Sequence, residues 1–229
     1  VKVDITTGIE THLAYTGQVS TRPVLSDGRL WWTEYRQDAL WEQAAHSGIY
    51  YLDLDGPLGS GERGPASEKN IWSLPSGLKS NGWGAVGMEY PERRTDGRPR
   101  RMKGLHNALY PTPMEGGDIC WIEYSSVGTY VVKSRHYSFE FPAGTSVHGL
   151  AWDDRTRKIY FIALDSSGMF IGSLDISGNS ISPEYVTRPA RVTVSDLRAA
   201  DGKLWYGSIA SGKDEAHMYD LAADREYLM

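Results

Sequence analysis

Apolar residues along this chain come in short runs, each broken by a turn and none keeping a helical period over any length. Four runs line up: Gly28-Arg-Leu-Trp-Trp-Thr-Glu-Tyr35, Gly117-Asp-Ile-Cys-Trp-Ile-Glu-Tyr124, Arg157-Lys-Ile-Tyr-Phe-Ile-Ala-Leu164 and Gly202-Lys-Leu-Trp-Tyr-Gly-Ser-Ile209. Each opens on a turn and a polar residue and then turns aliphatic and aromatic, the mark of a strand. The aliphatic anchors Leu30, Ile119, Ile159 and Leu204 lie 89, 40 and 45 residues apart, the first interval about twice the others. Asp38–Ala45 has room for two helical turns at most.

A second marker follows these strands: Leu52-Asp53-Leu54, Leu174-Asp175-Ile176 and Tyr219-Asp220-Leu221, with Val3-Asp4-Ile5 near the start. Ile159 to Asp175 and Leu204 to Asp220 are both 16 residues; Leu30 to Asp53 is 23, which puts seven extra residues in the Tyr35–Ser47 connection. From Ile119 the same offset of 16 reaches Arg135, so the Asp is missing from that repeat. A repeat of about 40–45 residues made only of strands, with Trp or Tyr in a central strand, predicts β-propeller blades. Inner strands are expected at Ser20–Ser26, Asn107–Pro113, Val147–Trp152 and Val192–Leu197, and outer ones at Ile9–Tyr15, Ser138–Phe141, Pro183–Thr187 and Glu226–Met229.

The first repeat, Ser20-Thr-Arg-Pro23-Val-Leu-Ser26-Asp27-Gly28 followed by an aromatic strand and then Leu52-Asp53-Leu54, resembles the repeat of the TolB-like (PD40, WD40-like) propellers. The likeness covers about three-quarters of the chain. It is partial later: Pro111 lacks its Asp-Gly and the last two repeats lack the Pro. The resemblance implies a propeller, usually of the bacterial envelope and often non-catalytic. Similar propellers cap serine peptidases of the prolyl-oligopeptidase type, so the resemblance leaves function open.

The expected fold is all-β, a propeller of about five four-stranded blades, either small and whole or a fragment of a larger ring. Residues 1–17 read as the tail of a preceding blade, 18–56 as a blade, 57–104 as a divergent blade or an insertion, and 105–143, 144–188 and 189–229 as three more blades. In the divergent stretch Asn70-Ile71-Trp72 falls 41 residues after Leu30, where an aromatic strand is due, and Gly84–Tyr90 suits the next strand. The two ends are similar to each other: Val3-Asp-Ile-Thr-Thr-Gly-Ile-Glu10 aligns with Tyr219-Asp-Leu-Ala-Ala-Asp-Arg-Glu226. The chain starts at Val1 rather than Met, so either a leader has been removed or it is a piece of something longer.

Composition narrows the chemistry. With 25 Gly, 8 Trp and 14 Tyr against 4 Phe, the chain is rich in turns and in residues that suit half-buried strands. Its single cysteine, Cys120, rules out an internal disulfide framework and a thiolate zinc cage. A net charge of −5 argues against nucleic acid, and no apolar run approaches the ~18 residues of a membrane span. The six histidines (His12, His46, His106, His136, His148 and His217) have no zinc-ligand spacing, and there is no Gly-x-Ser-x-Gly elbow. Gly207-Ser-Ile-Ala-Ser-Gly212-Lys213-Asp214 has phosphate-loop spacing but ends on Asp where Ser or Thr belongs, and reads as a hairpin turn.

Two strands share Trp-x-Glu-Tyr. Trp32 and Glu34, and Trp121 and Glu123, each fall on one strand face, so equivalent carboxylates could line a common pocket, as paired acids in a glycosidase do; the alternative is a structural role at strand ends. Arg36 and Trp41 belong to a long first-repeat loop of the kind that carries binding on rigid scaffolds, although Trp41 equally suits packing on a neighbouring blade. The candidate ligand-binding set is Trp32, Glu34, Arg36, Trp41, Trp121 and Glu123, with no catalytic, metal or cofactor residue assigned. Arg93, Arg94, Arg98, Arg100, Arg101 and Lys103 form a basic run that suits either phosphate or solvent. The aromatic register should be buried on both faces: Trp32, Trp121, Phe161 and Tyr206 on one, Trp31, Cys120, Tyr160 and Trp205 on the other. The functional expectation is a non-catalytic binding or scaffold module of the bacterial cell envelope, with a protein or glycan partner and further domains in a longer protein. The alternatives are a carbohydrate-active enzyme with channel-facing carboxylates and the propeller domain of a larger peptidase.

Overall fold

The computed structural model describes residues 2–11, 13, 18–19, 21–37, 45–54, 98–105, 107–125, 128–176, 183–209 and 212–229. They form two compact units, Val1–Leu109 and Tyr110–Met229. Among the described residues the structure is almost wholly strand, with one three-residue 3-10 turn at Glu115–Gly117.

The first unit opens with a hairpin, β1 (Lys2–Val3) and β2 (Glu10–Thr11), followed by β3 (Gln18–Val19), β4 (Val24–Ser26), β5 (Arg29–Gln37), β6 (Ala45–Asp53) and β7 (Arg100–Arg101). β3 and β4 both pair with β5, then come β6 and β7, all antiparallel. The Asp27-Gly28 turn between β4 and β5 has both residues at positive φ, 49° and 70°, which suits the strand twist of a two-residue hairpin. Because β7 supplies the outer strand of this sheet, residues 55–97 connect its third and fourth strands; Asn70–Trp72 and Gly84–Tyr90 lie outside the described residues.

The second unit holds three four-stranded antiparallel meanders, with β8 straddling the division between the units. The first contains β8 (Ala108–Pro113), β9 (Ile119–Tyr124), β10 (Tyr130–Ser134) and β11 (Ser138–Glu140). Next come β12 (Ser146–Asp153), β13 (Lys158–Asp165), β14 (Gly168–Asp175) and β15 (Pro183–Tyr185). Last come β16 (Thr193–Ala200), β17 (Lys203–Ile209), β18 (Glu215–Asp220) and β19 (Arg225–Leu228). These are propeller blades, and their strands fall within a few residues of those expected from the sequence. The Asp marker has a register meaning: Arg29 pairs with Asp53, Lys158 with Asp175 and Lys203 with Asp220. In the blade without it, Cys120 pairs with Ser134, so His136, not Arg135, takes the equivalent position.

The likeness of the two ends extends to their geometry. Val3 pairs with Glu10 and Lys2 with Thr11, as Tyr219 pairs with Glu226 and Met218 with Tyr227. Asp4 accepts the backbone N–H groups of Thr6 and Thr7 at 2.9 and 3.0 Å; Asp220 accepts those of Ala222 and Ala223, both at 3.0 Å.

Within the second unit the blades stack through apolar faces. Tyr160, Ile162 and Ile171 from one blade meet Val194, Leu197, Leu204 and Tyr206 from the next. On the opposite face Phe161 meets Phe141 edge-on, with centroids 4.9 Å apart. Its ring lies over Gly172, where a Cβ would come within 2.4 Å of Phe161 Cζ, so only glycine fits as its cross-strand partner. The turns are locked as well: buried Asp153 accepts Thr156 N–H at 2.9 Å and O–H at 2.8 Å, and reaches the next blade's Gly202 N–H at 3.0 Å.

Both aromatic series are buried with one exception. Trp31, Cys120, Tyr160, Trp32, Trp121, Phe161 and Tyr206 are all buried, whereas Trp205 is half-buried. Within this unit the last blade packs through its Leu204 and Tyr206 face, and Trp205 points to the other. Trp41 lies outside the described residues. Trp121→Ala and Phe161→Ala should therefore each cost about 3–5 kcal/mol in urea denaturation, and Trp205→Ala clearly less; equal losses at all three would contradict the packing.

Cys120 gives a second test. It is fully buried, and burial pushes its thiol up to about 12. In the unfolded chain the thiol ionises near ~8.5, so at higher pH the native state holds a proton that the unfolded state releases, and stability falls as pH rises from about 9 toward about 12. Native protein should resist thiol reagents at pH 8 and react on denaturation, and Cys120→Ser should flatten the alkaline loss of stability.

Candidate functional site

On a strand, side chains two residues apart share a face, and this brings each Trp-x-Glu pair into contact. Trp32 Nε1 donates to Glu34 Oε1 at 2.8 Å, both side chains being buried. Trp121 Nε1 donates to Glu123 Oε1 at 3.0 Å, and Lys133 Nζ donates to the other oxygen at 2.5 Å. In both strands the partner of the carboxylate is the indole of the same strand. Trp152 and Asp154 repeat the geometry at the end of β12, at 2.5 Å. Glu34 and Glu123 belong to separate units. Arg36 pairs in register with His46, and Trp41 lies outside the described residues.

The first blade encloses a charged pair where β5 begins and β6 ends. Arg29 Nε donates to Asp53 Oδ1 at 2.6 Å with both side chains nearly hidden, and the guanidinium lies 4.7 Å from the Tyr51 ring and 5.3 Å from that of Trp31. On the opposite face Trp32 stacks on Tyr50, their centroids 6.1 Å apart, within a cluster that includes Leu52. From these layers β5 and β6 run on as a paired ladder to Gln37 and Ala45.

Near that end a cavity of about 610 Å³ is lined by His46, Ser47, Arg101, Met102, Lys103, Gly104, Leu105 and Asn107, a volume within the range of small-molecule sites. Met102 and Leu105 are buried and apolar; Arg101 and Lys103 are exposed and cationic. None of the described lining residues is acidic. Gly48, the register partner of Glu34, makes the placement of Arg101 feasible: a Cβ there would fall 2.7 Å from Arg101 Nε. Arg101 and Lys103 of the basic run thus reach the cavity, and Arg93 and Arg94 lie outside the described residues. Sequence reasoning passed over His46, Ser47, Gly48 and Asn107, though a glycine inside a strand pattern is a signal of close approach by another group.

The other sequence leads resolve simply. Ser208 pairs with Glu215, so the phosphate-loop look-alike is the hairpin between β17 and β18. Among the described residues no group of three or more His, Cys, Asp or Glu could hold a metal ion. His217 stacks on Tyr206 at 5.4 Å with its Nδ1 2.8 Å from Glu226 Oε1, an arrangement inside the last blade.

No family model and no curated protein matches the sequence. Solved structures do. A puromycin-hydrolysing peptidase from Mycobacterium tuberculosis aligns with 96% of this chain at 12% identity and a TM-score of 0.55. An acylaminoacyl peptidase, solved in complex with Z-Gly-Gly-Phe-chloromethyl ketone, aligns with 95% at 8% identity and a TM-score of 0.52. The β-propeller domain of the trilobed protease from Pyrococcus furiosus aligns with 93% of this chain and 56% of its own, at 11% identity and a TM-score of 0.49. This chain spans 30% and 33% of the first two. At such identities the likeness shows the fold.

The carboxylate geometry predicts how Glu34 responds to substitution. Glu34→Gln keeps an acceptor for the Trp32 indole and should leave stability within about 1 kcal/mol, whereas Glu34→Leu strands a buried N–H and should cost about 1–3 kcal/mol. Thermal and urea unfolding of the two variants measures the difference, and equal stability would remove the indole bond as the reason for Glu34.

Proposed function

We propose that this chain is a non-catalytic β-propeller module that binds a ligand or partner, any chemistry being done elsewhere. The observation that carries this reading is the engagement of Glu34 and Glu123 by indoles of their own strands. A general acid or nucleophile has to direct its oxygen at substrate, and in both residues one oxygen is already committed. The basic cavity beside Gly48 gives such a module a place to bind.

A second reading, in which the module is the propeller part of a larger peptidase, is favoured by the alignments. Two peptidases match nearly the whole of this chain with about a third of their own length. The Ser20–Gly28 pattern supports a TolB-like repeat, and with it a periplasmic or cell-envelope setting.

A panel of oligosaccharides and peptides tests the non-catalytic reading. The purified chain should turn over none of them. Oligosaccharide turnover that disappears in both Glu34→Gln and Glu123→Gln, with the far-ultraviolet circular dichroism unchanged, would establish the carbohydrate-active alternative instead. The coding sequence on either side, read for a peptidase domain, separates the free-standing module from the peptidase part.

A further inference from the structure

We infer that the cavity of the first unit is a binding site for a small organic ligand bearing an oxyanion, a carboxylate or a phosphate monoester. The inference rests on the binding-module reading and names the ligand class. Among the described lining residues, Arg101, Lys103 and His46 bring basic groups to one concave surface, Asn107 and Ser47 add neutral hydrogen-bonding groups, and none is acidic. Such a set favours an anion through charge and through charge-assisted hydrogen bonds, and a guanidinium offers paired donors that match two oxygens of one head group.

Two features distinguish this site from a solvated basic patch. Gly48 leaves its Cβ space to the Arg101 guanidinium, so this side chain, though exposed, is laid against the sheet. Arg101 itself is anchored by its backbone pairing with Tyr50 in β6. The buried side chains Met102 and Leu105 also line the cavity. Bare phosphate would leave most of the roughly 610 Å³ empty, so the volume and this apolar part suit a head group joined to a compact organic body. Glu34, the nearest carboxylate in register, is buried and bonded to Trp32 and does not line the cavity.

Calorimetric titration of the chain with inorganic phosphate, a sugar phosphate, and a short peptide with either a free or an amidated C-terminus tests the assignment. Saturable binding of the sugar phosphate or of the free-carboxylate peptide is expected, tighter than inorganic phosphate or the amidated peptide and weaker at higher salt. Whichever of the two is preferred identifies the source of the oxyanion. Arg101→Gln, an exposed substitution, should weaken binding at least tenfold, and Lys213→Gln, in the β17–β18 hairpin and outside the cavity lining, should not change it. Gly48→Ala should also weaken binding by displacing Arg101, with circular dichroism checking the fold. No saturable binding by the unaltered chain, or binding untouched by Arg101→Gln, would overturn the assignment. Either failure leaves the non-catalytic reading standing, because that reading falls only to turnover.

Discussion

A sheet packed between neighbouring sheets has to hide both of its faces, and much in the second unit follows from that demand. β13 is apolar at every position from Ile159 to Ala163 because its odd-numbered residues face one blade and its even-numbered residues face the next. Large rings then need compensating small partners. Phe161 has Gly172 across the ladder, and Tyr160 has Ser173. Trp205 shows the same rule from the other side: with no blade of its unit against it, it stays half-exposed.

Polar groups are pushed to the strand ends, where they lock turns instead of filling layers. Asp153 is the strongest case, one buried carboxylate satisfying its own turn and the backbone of the next blade's turn at Gly202. Without that acceptor the buried Gly202 N–H would lose its partner, at about 1–3 kcal/mol, and the part-buried Thr156 N–H would lose its own. The Arg29–Asp53 pair in the first blade also lies at strand ends, the first residue of β5 and the last of β6, but with both side chains nearly hidden. It persists because the ion pair is short and the guanidinium lies against two aromatic faces, which offset the loss of water.

The same division of labour locates function. A layer packed on both sides has no room for a ligand, so recognition moves to the ends of strands and to the segments that join them. In the first unit β7 and the residues after it bring Arg101 and Lys103 to the end of β6, and the glycine at position 48 gives the arginine its seat. The aromatic strand that dominates the sequence pattern serves packing, and the binding chemistry depends on residues with little pattern of their own.

Local alternation, turn residues and repeat spacing by themselves determined that this chain is built from antiparallel strands in blade-like units, because strand faces and two-residue turns depend on near neighbours. Asp-Gly at 27–28, the aromatic register of Trp32, Trp121 and Phe161, and the repeated Asp at 53, 175 and 220 were all readable in this way. Tertiary structure alone decided what Glu34 and Glu123 touch, because an acid two residues from a tryptophan has many potential partners and only a folded strand face selects the indole. It alone decided that Arg100–Arg101 closes the first blade across a long connection, since pairing between strands so far apart leaves no local signal. And it alone decided that Arg101 and Lys103 of the basic run line a cavity, because Arg101 is placed by Gly48, more than fifty residues earlier in the chain and adjacent only once β6 and β7 pair.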